Sequence, residues 1–276
     1  MSGFIAGLRA EFAKVTTTRL WWILAIVLFG YIALTAGGLG ALFGALSTGD
    51  IKPSRGGGSG QPVNFGTLAP LVYSFATSVG YVFPVLLGAL ATTGEFRHQT
   101  LTPTFLANPR RMQVLGAKST SSLVVGAAYG VVALVASVGA GALALSILGI
   151  DTTLGDSDTW AMFGRALIAM ALWAAIGVGL GTVVPNQTAA IVIILAFTQF
   201  LEPLLRFAGG LSDVTAAIAK FLPGSSSDAL VGKSFFTISN PAASSLDWWQ
   251  GGLVLLGYAV VFTAVGYFIT WRKDVT

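Results

Sequence analysis

ALIAMALWAAIGVGLGTVVPNQTAAIVIILAFTQFL, residues 166–201, contains no Asp, Glu, Lys or Arg. As one helix it would run roughly 54 Å at 1.5 Å per residue. The hydrocarbon core of a bilayer is about 30 Å thick. A single crossing cannot use that length. Near its middle stand Val184-Pro185-Asn186-Gln187, and Pro and Asn favour a turn. The stretch therefore predicts two spans joined by a tight turn.

The rest of the chain has the same character. Leu20–Gly49, Gly56–Gly94, Ser119–Ile150 and Trp248–Trp271 are also free of charged side chains. Charged residues make up 9% of the 276, and the mean hydropathy is +0.80. A soluble domain carries about a quarter charged residues, so lipid must cover part of this surface. Six spans follow: Leu20–Leu46, Gly66–Thr93, Val114–Ile150, Trp160–Val184, Thr188–Phe207 and Trp248–Trp271. Runs this long and unalternating are helices and not barrel strands. The expected fold is an all-α integral membrane protein forming one transmembrane domain over 1–276. The first run follows a charged amphipathic start and lacks a clear cleavage site, so it reads as a retained span. There are no cysteines, which excludes disulfides and thiolate metal sites.

Charge fixes the expected orientation. With six spans, both termini and the 94–118 segment share one side. That side holds Arg9, Lys14, Arg19, Arg97, Arg110, Arg111, Lys118, Arg272 and Lys273 against Glu11, Glu95 and Asp274. The other side holds the remaining eight of the 11 acids. Basic loops stay cytoplasmic, so a plasma-membrane protein with cytoplasmic termini is expected. The pI of about 9.5 then reads as a topology signal plus attraction to anionic lipid, not as nucleic-acid binding.

Between the spans the sequence is polar or broken. Residues 1–18 carry Phe4, Ile5, Leu8, Phe12 and Val15 at helical spacing, with Arg9, Glu11 and Lys14 read as lying elsewhere on the wheel, which predicts an interfacial helix. Asp50–Gln61 reads as an external loop. Residues 209–246 mix apolar turns with Pro223-Gly224 and Asn240-Pro241, which predicts short re-entrant or external helices. Pro84 is expected to kink span two. Gly126-xxx-Gly130 and Gly177-xxx-Gly181 predict close helix packing within the chain.

Candidate chemistry is sparse. Ser227–Ser234 nearly matches a phosphate-binding loop but lacks its first glycine and sits on the expected outer side, so it reads as a false lead. Glu202 and Arg206 read as an i,i+4 ion pair or gate near the outer end of span five. Phe75, Tyr81, Phe197 and Phe200 are packing or lipid-facing aromatics, or else walls of an apolar substrate pocket. His98 is the only histidine and lies on the opposite side from Glu202, and no second titratable group is expected to face Glu202. This disfavours an intramembrane protease or lipid enzyme.

The one dense cluster is GEFRHQTLTPTFLANPRR, Gly94–Arg111. Glu95 is expected to open a short helix with its carboxylate at the positive N-terminus, and Pro103 and Pro109 to break the segment. It is either a plain positive-inside loop or a docking element for a soluble partner. Gly94-Glu95-Phe96-Arg97-His98-Gln99-Thr100-Leu101, with Ala107-Asn108-Pro109-Arg110-Arg111 and Lys118, resembles the GE[FY]RxxT…P-R-R…K signature of ATP-binding-cassette (ABC) type 2 permeases, especially the actinobacterial kind. The N-terminal helix, six spans and Phe221-Leu222-Pro223-Gly224 turn are also similar to that family. The resemblance implies a coupling helix between spans two and three that contacts a soluble ATPase, through Glu95, Phe96, Arg97, His98, Thr100, Arg110 and Arg111. It implies two ATPase copies, a second permease chain, membrane lipid around them, and ATP and Mg bound only by the partner. It implies no covalent chemistry in this chain and export of a hydrophobic or amphipathic molecule. Ion extrusion, or self-immunity to a membrane-active peptide, by the same fold is the alternative.

Overall fold

The computed structural model describes residues 2–49, 68–209, 211–232, 234 and 246–272. Among these every regular element is helical. The expected Asp50–Gln61 loop, Lys233 and the Asn240-Pro241 turn lie outside the described residues.

Helix α1 is Ser2–Thr17 and α2, span one, is Leu20–Thr48. Span two is α3 (Leu68–Ser78) and α4 (Val82–Arg97), followed by the short α5 (Leu101–Ala107). Span three is α6 (Arg111–Ile147) and span four α7 (Ser157–Val183). Span five runs through α8 (Gln187–Ala196), a π-helical turn (Phe197–Leu201) and α9 (Glu202–Ala208). Helices α10 (Asp213–Ala219) and α11 (Pro223–Val231) precede span six, which is α12 (Trp248–Gly266) and a π-helical turn (Tyr267–Trp271). Six of these units are long and apolar enough to cross a bilayer, as an all-α membrane protein requires.

The break at Pro185-Asn186 is where the sequence puts it. Asn186 caps α8, its side chain accepting from the Ala189 N–H at 3.0 Å, which satisfies one of the orphan donors at a helix start. Span two differs from expectation. Its break falls at Val79-Gly80, not at Pro84. Pro84 sits in the first turn of α4, where its missing N–H costs nothing. Gly80 is needed at the bend, because a Cβ there would lie 2.1 Å from the Ala76 carbonyl oxygen.

Span four is the centre of the bundle and packs on α4, α6 and α12. Both small-xxx-small patterns serve this packing. A Cβ on Gly177 would lie 2.1 Å from the Val85 carbonyl oxygen, and one on Gly126 would lie 2.7 Å from that of Met170. Gly88 answers Gly177 from the other side, 2.1 Å from the Ala174 carbonyl oxygen. These glycines bring backbones into direct contact, where dispersion replaces the missing hydrophobic drive between helices in lipid.

Candidate functional site

The end of the bundle that carries α1, α5 and the last turn of span six holds a knot of four charges, three of them buried. Glu11 and Glu95 are 5% exposed and Lys118 is 1% exposed. The Lys118 ammonium lies 2.5 Å from Glu11 Oε2 and 3.1 Å from Glu95 Oε1. It also donates to the Ala91 carbonyl at 3.3 Å. The Lys14 ammonium lies 2.6 Å from Glu11 Oε1 and 2.5 Å from Glu95 Oε1. Two cations and two anions thus tie α1, span two and span three together. Burial pushes the Glu11 carboxyl up, but Lys118 and Lys14 outweigh it and hold it below its ordinary value. Burial pushes the Lys14 ammonium down, but Glu95 and Glu11 outweigh it and the net displacement is upward.

This corrects two sequence expectations. Glu95 does not open a helix; it stands in the last turn of α4. The helix dipole disfavours a carboxylate there, and the two lysines supply the compensation. Glu11 does not lie away from the apolar stripe of α1. Positions 4, 8, 11 and 15 share one helical face, and Glu11 is buried on it. Helix α1 therefore docks onto span three by that face, with Gly7 against Ala117 and Phe4 against Gly116.

Beyond the knot the chain turns at Gln99, which has a φ of 54°, and α5 crosses the end of the bundle. Its inner face is seated on Trp271. Leu101 is buried, Phe105 meets the Trp271 ring edge-on at 5.5 Å, and Phe96 does so at 6.0 Å. Its outer face is open: Thr102 and Pro103 are exposed and Leu106 is 81% exposed. Arg97, His98 and Thr100 are exposed beside it, and Arg97 donates to Gln187 Oε1 at 3.0 Å. The seven expected coupling residues thus divide. Glu95 and Phe96 anchor the segment, Arg97, His98, Thr100 and Arg110 are exposed, and Arg111 turns inward. Arg111 lies over Phe105 at 4.9 Å and donates to the Trp271 and Arg272 carbonyls. Between α1 and α5 runs an open groove of about 600 Å³ that reaches Glu11 and Lys14.

The opposite half of the bundle carries a second polar cluster. Glu202 is fully buried and accepts from the Gly224 N–H at the start of α11. Arg206 pairs with Asp228 of α11, which also accepts from the Ser78 hydroxyl at 3.0 Å. So the carboxylate and the guanidinium expected to face each other along span five both reach across to α11. The expectation that no second titratable group faces Glu202 is also corrected, since Asp228 and Tyr81 stand close enough to act on it electrostatically. The aromatic candidates part company. Phe75 and Tyr81 are buried, Tyr81 stacks on Trp173 at 4.3 Å, Phe197 is half-buried, and Phe200 is 76% exposed.

Sequence reasoning missed Trp271 as the seat of α5, and Glu11 and Lys14 as partners of Glu95. The signal for Glu11 was its place at helical spacing among Phe4, Leu8 and Val15. The near phosphate loop has the wrong order of elements. Ser227 lies inside α11 and receives the Trp173 indole N–H at 3.1 Å, so a helix precedes Gly232 where a phosphate loop needs one to follow. No protein-family model matches this chain, and no curated protein matches it significantly.

Proposed function

We propose that this chain is the membrane subunit of an ABC exporter, moving a hydrophobic or amphipathic molecule out of the cell. A separate ATPase, in two copies, supplies the energy with its own ATP and Mg, and a second permease chain completes the assembly. In this reading the α5 end faces the cytoplasm, α10 and α11 are re-entrant from outside, and the protein resides in the plasma membrane. One observation carries it. Helix α5 projects an open face, Thr102, Pro103 and Leu106, while its back is seated on spans three and six through Leu101, Phe105 and Trp271, and the charged knot fixes the end of span two just before it. A push on α5 is therefore delivered to three spans and α1 at once. A plain connecting loop has no need of that seat. ATP binding to the partner would bias two arrangements of the helices.

The test is co-purification of the ATPase with the tagged chain. Leu106→Glu with Arg97→Ala leaves the knot and the Trp271 seat intact, so the chain should assemble in the membrane yet lose its ATPase. Retention of the ATPase and of transport-stimulated hydrolysis by that variant would refute the coupling role.

A second reading, an intramembrane lipid enzyme, draws on one observation: Glu202 and Asp228 come together, and Glu202 Oε2 has no hydrogen-bond partner. Glu202→Gln keeps an acceptor for Gly224 but cannot carry a proton. Unaltered export by Glu202→Gln dismisses the enzyme; loss of a lipid-modifying activity with assembly intact establishes it.

A further inference from the structure

Two carboxyl groups meet where span five is joined to α11, and their oxygens are met unequally. Asp228 Oδ2 pairs with Arg206, and its Oδ1 accepts from the Ser78 hydroxyl at 3.0 Å. Both of its oxygens therefore have donors. Glu202 is 0% exposed. Its Oε1 accepts from the Gly224 N–H, but its Oε2 is buried without a hydrogen-bond partner. The fit is close. A Cβ on Gly224 would lie 2.8 Å from Glu202 Cδ and 3.1 Å from Oε2.

An ionised carboxylate with an unmet oxygen is costly away from water, and a neutral carboxyl is much less so. The surroundings suit the neutral form. The titratable and charged groups that face Glu202 are Arg206 on its own helix, Asp228 on α11, Tyr81 on α4 and Tyr258 on span six. Tyr258 gives its hydroxyl proton to the Phe221 carbonyl at 3.1 Å, just before α11. Tyr81 gives its own to the Thr198 carbonyl at 3.1 Å, which leaves the phenol oxygen an acceptor. A protonated Glu202 keeps a carbonyl oxygen for Gly224 and gains an O–H for that acceptor. Lifting α11 would admit water, where a carboxyl ionises at its ordinary value. The seated and lifted states thus differ in their hold on one proton, and the proton favours the state that holds it more tightly.

We infer that Glu202 is a proton-operated latch: α11 is seated on span five while Glu202 carries a proton, and it lifts as Glu202 gives that proton to water. The O–H bond breaks with its electron pair left on the carboxylate, so each lifting releases one proton. The latch needs neither an ATPase nor a transported molecule, so it stands or falls apart from the exporter reading.

The sequence contains no cysteine, and Ser226 of α11 is fully buried, with its carbonyl against Gly251 of span six. Ser226→Cys therefore reports lifting of α11 in the purified chain through its reaction with a soluble thiol reagent. The rate is divided by that of a free thiol at each pH, across the range of about pH 4 to 9 in which protein carboxyls titrate. One proton released per opening gives a rise approaching tenfold per pH unit where Glu202 ionises. S226C/E202Q keeps an acceptor for Gly224 and cannot ionise, so it should label slowly and show no rise. S226C/Y81F removes the acceptor and should move the rise to lower pH, and it carries the test if the glutamine variant does not purify. A corrected rate for Ser226→Cys that is flat or falls with pH overturns the latch. So does a rise that survives Glu202→Gln, or one that Tyr81→Phe leaves in place.

Discussion

Lys118→Met removes one cation from the knot and one donor from the Ala91 carbonyl. Met fills nearly the same volume, so packing changes little. The electrostatic change is large. Lys118 is 1% exposed and stands 2.5 Å from Glu11 Oε2 and 3.1 Å from Glu95 Oε1. At an effective dielectric of about 20, a pair at 4 Å gains about 4 kcal/mol. Most of that gross attraction is offset by desolvating the ammonium. The measurable loss comes from what stays behind: two buried carboxylates with Lys14 as their one cation, and Lys14 has a side chain 41% exposed. Breaking a buried pair from one side costs about 3–5 kcal/mol, or roughly a hundredfold or more in an opening equilibrium.

The sequence contains no cysteine, so one introduced thiol reports alone. Ala117 lies under α1, 1% exposed, with its Cβ facing Gly7. Ala117→Cys should be protected from a soluble thiol reagent. Adding Lys118→Met should raise its labelling rate roughly a hundredfold as α1 lifts, since labelling tracks local opening. Adding Glu95→Gln as well leaves Glu11 and Lys14 as a neutral pair. That triple variant should label roughly tenfold more slowly than Ala117→Cys/Lys118→Met. If neutralising Glu95 fails to slow the reaction, the four side chains are not one charge-balanced unit and the energetic argument is wrong.

The docking of α1 should also depend on pH at both extremes. Glu11 is depressed from 4.5, so its contribution is present above that value and is lost as pH falls through the depressed value. Lys14 is raised from 10.5, so its contribution is present below that value and is lost as pH rises through the raised one. The labelling rate of Ala117→Cys, divided by that of a free thiol at each pH, should be flat from about pH 5 to 10 and rise on both sides; a slope across the neutral range would contradict the knot. Gly177→Ala places a methyl against the Val85 carbonyl and should cost more than the 1–3 kcal/mol typical of overpacking, read as loss of the folded chain in detergent; normal yield and midpoint would show that spans two and four separate freely. Thr102→Cys should react with an impermeant thiol reagent only after cell lysis, and Ser157→Cys, exposed at the other end, in intact cells; the reverse pattern would invert the proposed orientation.

The spans were legible because a bilayer makes the sequence pay in one currency, uncharged length, and because Asn186 is a cap as well as a turn former. The break in span two was not. Pro84 is the louder signal, yet a proline in a first turn disturbs nothing. Gly80 bends the chain for a reason visible only in three dimensions, the approach of the Ala76 carbonyl. The glycines of spans three and four were legible as packing residues through their spacing, but not their partners. Gly177 and Gly126 meet Val85 and Met170, and nothing local to any of them names the other.

The charged sites show the same limit more sharply. A glutamate near a lysine or arginine in sequence invites pairing within one helix, and Glu11 takes it up with Lys14, but other partners lie on other helices. Glu95 passes over Arg97, two residues away, for Lys14 and Lys118. Arg97 lies outside on Gln187, while the two lysines come from helices that bury Glu95. Glu202 and Arg206, four apart on span five, meet Gly224 and Asp228, four apart on α11. The reason is backbone accounting. Helix α11 is buried and Leu222 before it has no side-chain acceptor, so the Gly224 N–H would be orphaned in an apolar setting. A carboxylate from span five satisfies it, which an ion pair along span five would not. The buried carboxylates Glu11, Glu95 and Glu202 follow one rule: each meets a donor from another helix. That rule operates on contacts between helices, and residue spacing within one helix does not reveal them.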